Sequence, residues 1–373
     1  MAGGKGASTN CPSDGCGMVF KITPGGVETV LYSFGISAGD GVLPEARLIQ
    51  GADGNFYGTT AHGGAGAADT LCSNDCGTVF KLTPAGVETV LYSFGSSGNS
   101  DGFNPAGLGL VQGSDGNFYG TTSQGGSVTN CEGGCGTVYK ITPAGVESVL
   151  HSFGGSGSSD GASPIGIVLG SDGNFYGTTS SGGKGTPGTN CSVGCGTFFK
   201  ITTAGVETVL YSFGSNGNSD GANPSGVVQG SDANFYGTTS QGGTGTSCTG
   251  GCGTVFRSTS GGVETVLYSF GTSGSSDGST PADGLVLGND GNFYGTTAHG
   301  GASGNCSTYG CGTVFKITSG GEEAVLYSFA GTSGSGSNGS DPDSLVQSND
   351  GTFYGTTFTG GTGGLGTFFK LIP

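Results

Sequence analysis

The sequence predicts an all-β, six-bladed β-propeller of four-stranded antiparallel blades. Three observations carry the prediction. Glycine supplies 86 of 373 residues, and each glycine in a helix costs ~1 kcal/mol relative to alanine, so long helices are excluded. The word NFYGTT returns at Asn55, Asn117, Asn174, Asn234 and Asn292, so the chain is a tandem repeat. Each copy holds four short β-type runs bounded by turn residues, and repeated four-stranded units define a propeller.

The copy from Gly107 to Gly154 shows the elements in order. Strand a is the apolar run Leu110–Gln112, closed by Gly-Ser-Asp-Gly. That tight-hairpin signal leads to strand b, Asn117–Thr122. A long glycine-rich b–c loop leads to strand c, Gly136–Thr142. Pro-Ala-Gly then turns into strand d, Val146–Phe153. The N-terminus opens with strands c and d (Met18–Thr23, Val27–Phe34). The C-terminus ends with a, b and c (Leu345–Gln347, Phe353–Thr357, Thr367–Ile372). The whole chain is therefore expected to be one domain, 1–373, with strands 17–34 completing the blade begun by 344–373 and so closing the ring. One strand c is surplus, either Met18–Thr23 or Thr367–Ile372, displaced or added as an extra edge. A seven-bladed ring is the alternative, and it leaves an open edge.

Composition removes other classes. The glycines follow no three-residue period, which excludes collagen. Thirteen Tyr and 22 Phe recur in ordered runs that can bury a core, which excludes disorder. The formal charge is −16 with ten basic residues, seven of them at one repeated position of strand c. Nucleic acid needs clustered Lys and Arg, so it is excluded as a partner. No apolar run approaches the ~20 residues of a membrane span.

The pattern G-T-V-F-K-I-T-P-x-G-x-E-x-V-L-Y-S-F resembles the Gloeo-Verruco (GloVer) tandem repeat of bacterial surface and secreted proteins. The run P-x-G-x-x-x-x-x-D-G-N-x-Y is similar, more weakly, to NHL-type and gluconolactonase-like propellers. The repeat resemblance implies an exported bacterial protein. It implies no reaction, and no catalytic residue is carried over from it.

Twelve cysteines fall in six local pairs, each in a b–c loop: Cys11/Cys16, Cys72/Cys76, Cys131/Cys135, Cys191/Cys195, Cys248/Cys252 and Cys306/Cys311. An even count at regular spacing predicts disulfides and an oxidising compartment. Zinc thiolate sites are the rival, but they use four ligands in two close pairs, and these pairs belong to different blades. The opening MAGGKGASTN lacks the regions of a signal peptide and reads as a chain without its export leader. The expected location is extracellular or at the cell surface.

Much of the repeated chemistry reads as architecture. Asp53, Asp115, Asp172, Asp232, Asp290 and Asp350 are hairpin residues. Lys140 with Glu147, and Lys81 with Glu88, are placed to pair across strands c and d. A second series, Asp40, Asp101, Asp160, Asp220, Asp277 and Asp341, reads as turn caps, with Ca²⁺ ligation as the sharper alternative. His151 replaces the Tyr of LYSF as a packing variant.

Departures from the repeat give the candidate site. Asp283 and Asp343 replace Ala46, Leu108, Ile165 and Ser225 before strand a. Glu45 and Arg47 are peculiar to the first copy, and His62 and His299 end two of the b strands. Closing the ring groups them on one half of one face, and Gln50, Gln112, Gln229 and Gln347 line the innermost strand, alternating in part with Leu169 and Leu287. The expected catalytic residues are Glu45, His62, Asp283, His299 and Asp343, with Glu45, Asp283 and Asp343 holding a divalent metal, calcium or zinc. Such a site fits a metal-assisted hydrolase of small ester, lactone or phosphoester substrates. The alternative is a non-catalytic propeller binding a surface glycan or protein. The expected assembly is a monomer, with a strand-swapped oligomer open through the surplus strand c.

Overall fold

A computed structural model describes residues 15–65, 76–105, 107–128, 130–155, 157–185, 191–302, 306, 310–331, 338–361 and 363–373. Every regular element among them is a strand, and the fold is a six-bladed β-propeller of four-stranded antiparallel blades. Contacts divide the chain into two compact units: Met1–Gly177 with Lys200–Thr208, and Thr178–Phe199 with Val209–Pro373.

In the first unit, Met18–Ile22 pairs with Glu28–Ser33 as a two-stranded sheet. A four-stranded sheet follows in the order Ile49–Gln50, Phe56–Thr60, Thr78–Leu82, Glu88–Ser93. The next runs Val111–Gln112, Phe118–Thr122, Thr137–Ile141, Glu147–Ser152. Chain order and spatial order coincide: five-residue turns join a to b and c to d as antiparallel neighbours, and the long b–c loops return the chain beside strand b. The sheet Ala162–Leu169, Phe175–Ser181, Thr197–Ile201, Glu207–Ser212 carries the division between the units.

The second unit holds the sheet Ala222–Gln229, Phe235–Gln241, Thr254–Ser258, Glu264–Ser269. After it come Ser279–Pro281 and Val286–Leu287, both on Phe293–His299, then Thr313–Ile317 and Glu323–Ser328. The chain ends in a three-stranded sheet, Ser340–Gln347, Phe353–Thr359, Thr367–Leu371.

Strands b, c and d lie where the repeated words place them. Strand a is longer than its apolar run in three sheets, reaching back to Ala162, Ala222 and Ser340. The extension passes through a residue in the left-handed region just before a proline: Ser163 at φ 54°, Asn223 at φ 54°, Asp341 at φ 59°. Its irregular register, between Pro224 and Val227 for example, hides it from a search for period-two alternation.

The core lies between neighbouring sheets. One cluster joins Tyr236, Cys252, Val255 and Phe270 of one sheet to Leu285, Phe293, Phe315 and Ile317 of the next. Tyr of FYGTT meets Phe of the next FYGTT, with centroids 4.0 Å apart for Tyr57–Phe118 and 3.9 Å for Tyr236–Phe293. Phe of YSF meets the strand c aromatic of the next sheet edge-on, as in Phe270–Phe315 at 5.1 Å. Such contacts favour a fixed geometry beyond the area they bury. Strand b glycines make room for them: a Cβ on Gly295 would press on the Phe315 ring at 2.6 Å.

Buried threonines lock strands b and c together. Thr297 Oγ1 lies 2.9 Å from Thr313 Oγ1, donates to the His299 carbonyl and accepts the Thr313 N–H. The same set recurs at Thr60/Thr78, Thr122/Thr137, Thr179/Thr197, Thr239/Thr254 and Thr357/Thr367. A buried hydroxyl must be hydrogen-bonded, which explains Thr at both positions.

Four disulfides close b–c loops: Cys131–Cys135, Cys191–Cys195, Cys248–Cys252 and Cys306–Cys311. Cys16 and Cys76 are also disulfide-bonded; their expected partners Cys11 and Cys72 lie outside the described residues.

Candidate functional site

The a–b turn aspartates are hairpin residues. Asp115 Oδ1 accepts the Asn117 N–H at 3.1 Å, and Oδ2 accepts Asn117 Nδ2 and the Tyr119 hydroxyl. Burial raises its pKa, but donation from Asn117, Tyr119 and Lys140 outweighs this and holds it well below the usual carboxylate range. Lys140 Nζ is 3.1 Å from Asp115 Oδ2, and Lys316 Nζ is 2.9 Å from Asp290 Oδ2. This corrects the expected Lys–Glu pairing. Lys140 stands opposite Ser148, and Glu147 stands opposite Ile141, so Lys and Glu point to opposite faces.

The d–a loop aspartates are caps too. Asp220 Oδ2 accepts the Tyr211 hydroxyl at 2.7 Å and the Ser215 N–H, while Oδ1 accepts the Gly214 N–H. Asp40, Asp101 and Asp277 receive Tyr32, Tyr92 and Tyr268 in the same way. His151 takes the tyrosine's place, with Nε2 3.4 Å from Asp160 Oδ2. At Asp220 donors thus occupy both oxygens that a cation would need. The last member of the series is corrected: Asn338, not Asp341, takes the cap position, accepting the Ala330 N–H and donating to the Tyr327 hydroxyl. Asp341 instead precedes Pro342 at the left-handed position. The longer loop of this copy hides the alignment.

The glutamines of strand a tie their own a–b turn to the a–b turn of the preceding sheet. Gln112 Nε2 donates to the Gly116 carbonyl and its Oε1 accepts the Ala52 N–H, and Gln347 Oε1 accepts the Asn289 N–H.

The expected catalytic residues are placed as follows. In the first unit Glu45 is exposed after Pro44, and His62 is half-buried in the short strand His62–Gly63, opposite Val42. In the second unit Asp283 is half-buried, its Oδ1 accepting the Gly284 N–H at 2.8 Å and its carbonyl accepting Thr238 Oγ1. His299 ends strand Phe293–His299 opposite Ser279. Asp343 is exposed in Ser340–Gln347, its carbonyl accepting Thr296 Oγ1. Asp283 and Asp343 therefore occupy equivalent positions in consecutive sheets. Among the described residues, no group of three or more His, Cys, Asp or Glu is arranged to hold a metal ion.

A different feature gathers polar chemistry. In the second unit a cleft of about 570 Å³ is lined by Asn216, Asp220, Thr244, Glu264, Tyr268 and Thr272, among others. Burial pushes the Glu264 carboxyl up to about 7, and the Asp220 charge adds to this. Glu264 Oε1 is buried without a hydrogen-bond partner, a costly state for a carboxylate. The pairing recurs: Glu88 beside Asp40, Glu147 beside Asp101 and Glu323 beside Asp277 are each raised to about 7, burial first and the aspartate second. Glu207 is raised to about 7 as well, with His151 opposing and Asp160 assisting. In all five glutamates Oε1 has no partner. Sequence reasoning missed this series because the aspartate beside each glutamate comes from a different repeat. The signal available was a glutamate kept at one position of an otherwise apolar strand d.

The repeated sheets, with their b–c loops closed by disulfides, define a tandem-repeat β-propeller. Residues 6–190 match the model of the Gloeobacter/Verrucomicrobia repeat. No curated protein sequence matches it. Among solved structures, it is similar to the extracellular domain of a protein described as a hybrid two component system from B. thetaiotaomicron. That match has 12% identity and TM-score 0.52, and covers 95% of this chain and 37% of that one. A gluconolactonase from Xanthomonas campestris has 11% identity and TM-score 0.47, covering 90% of this chain and 89% of that one. These likenesses concern fold. No helix of the described residues is long and apolar enough to cross a membrane.

Proposed function

We propose that the protein is an exported, non-catalytic binding propeller that takes hydroxyl-rich ligands, glycans, in the acidic clefts beside its d strands. The observation that carries this reading is the cleft lined together by the Asp220 and Glu264 side chains, the hydroxyl groups of Thr244, Tyr268 and Thr272 and the amide of Asn216. A carboxylate that satisfies only part of its acceptor capacity is a natural partner for sugar hydroxyls. The cleft volume falls in the range of small-ligand sites. Repetition of the Glu–Asp pair offers several weak sites on one chain, which raises avidity without any new contact. Disulfides in the b–c loops support an oxidising, extracellular location.

A glycan array followed by titration tests it. Saturable binding of a glycan, weakened by Glu264→Ala in a variant that melts like the parent, supports the reading. Hydrolysis of an ester or lactone that is abolished by EDTA and by Asp343→Ala would favour the metal-assisted hydrolase instead.

A further inference from the structure

The clefts beside the d strands are built from one recurring set. A tyrosine of one strand d and the aspartate of the loop after it meet a glutamate of the next strand d. Tyr211 donates to Asp220 Oδ2 at 2.7 Å, with Glu264 beside them. Tyr32 donates to Asp40 Oδ2 at 3.0 Å, with Glu88 beside them. One phenol proton therefore serves a pair of acids. Asp40 is only 6% exposed, yet its Oδ1 has no hydrogen-bond partner, and Oε1 of the neighbouring Glu88 has none either. Buried carboxylate oxygens without donors are costly, and two adjacent acids repel when both are ionised. A neutral hydroxyl would supply a donor but no charge, whereas an ammonium group supplies three donors and the opposite charge. The strand c lysines do not fill this role, since Lys81, Lys140 and Lys316 pair with a–b turn aspartates.

One copy answers the same pair of acids from within the chain. At His151, Asp160 and Glu207 the tyrosine gives way to a side chain that can itself become a cation. His151 Nε2 stands 3.4 Å from Asp160 Oδ2. Burial raises Glu207 as it raises the other glutamates, and the His151 charge opposes the rise.

We infer that the clefts bearing tyrosine bind an amino sugar, its ammonium group seated against the aspartate and glutamate, and that the His151 cleft, with a cation of its own, does not. The inference rests on the glycan-binding reading and names the chemical class of the glycan.

The test titrates the whole chain calorimetrically, at neutral pH, with a glucosamine oligosaccharide and with its N-acetylated counterpart. The amine form should bind at least about tenfold more tightly, because charge-assisted hydrogen bonds are the stronger ones. His151→Tyr, which restores the residue of the other copies, should add one site for the amine form, and Glu264→Gln should remove one. Equal or tighter binding of the N-acetylated form would overturn the inference and leave the glycan reading standing. Binding of neither form, nor of any other glycan, would end both. Amine binding whose site number neither variant changes would be attraction to the chain's net charge of −16, and would overturn the inference as well.

Discussion

Ser163 donates its backbone N–H to the carbonyl oxygen of Cys135 across 2.8 Å. The second cysteine of a b–c loop thereby holds the d–a segment of the following repeat. Asn223 bonds Cys195 and Thr280 bonds Cys252 in the same way. Each donor precedes a proline that packs on the glycine after the cysteine, as Pro164 does on Gly136. The disulfide therefore fixes more than its own loop. It sets the carbonyl that receives the next repeat.

The double change Cys131→Ser, Cys135→Ser should lower stability by about 2 kcal/mol, the chain-entropy value for so short a loop. The loss of ordered contact to Ser163 adds to this. Denaturant unfolding of the variant against the parent measures it. An unchanged midpoint would mean that the loop is held without its bridge.

Glycines should divide sharply. Gly253 sits at φ 95°, and a Cβ there would run into the Thr239 carbonyl and the Pro281 ring. Gly291 sits at φ 79° with nothing within 4 Å of a Cβ. Gly291→Ala should cost about 1 kcal/mol, the left-handed penalty alone. Gly253→Ala should cost several times as much, or prevent folding. Thermal unfolding of the two variants gives the comparison, and equal losses would contradict the packing described.

Stability should fall as pH rises from about 4.5 towards about 7. Glu88, Glu147, Glu207, Glu264 and Glu323 have folded pKa values raised to about 7 from 4.5. Between those values the folded chain binds more protons than the unfolded one, so ΔG of unfolding decreases with pH. The contribution is full below about 4.5 and lost through about 7. The turn aspartates act in the opposite sense and only at lower pH, since Asp115 and Asp290 are held below 3.8; being largely solvent-exposed, they contribute little. Melting temperatures from pH 4.5 to 8 should decline, and Glu264→Gln should flatten the slope. A rising curve over that range would refute the burial of these glutamates.

Strands b, c and d were legible because their words repeat and their alternation is local. The extension of strand a to Ala162 was not, since a proline and a left-handed Ser163 interrupt the pattern. A Lys140–Glu147 pair is not what the ladder allows, because the register Lys140↔Ser148 and Ile141↔Glu147 puts the two residues on opposite faces of the pleat. Asn338 was hidden behind Asp341 by a longer loop. The disulfide loops were legible from spacing alone. The raised glutamates were illegible for a physical reason: the aspartate that adds to each shift belongs to a different repeat, as Asp220 does for Glu264. The departures at Glu45, His62, Asp283, His299 and Asp343 were easy to find in the sequence, but what they do depends on geometry that no local pattern contains.

The central claim is that the Glu–Asp clefts hold ligand. Calorimetric titration of a glycan chosen from an array, against the parent and Glu264→Ala, tests it most directly. The account predicts more than one site per chain for the parent and one site fewer for the variant. A single site untouched by Glu264→Ala, or no heat with any glycan, would contradict it.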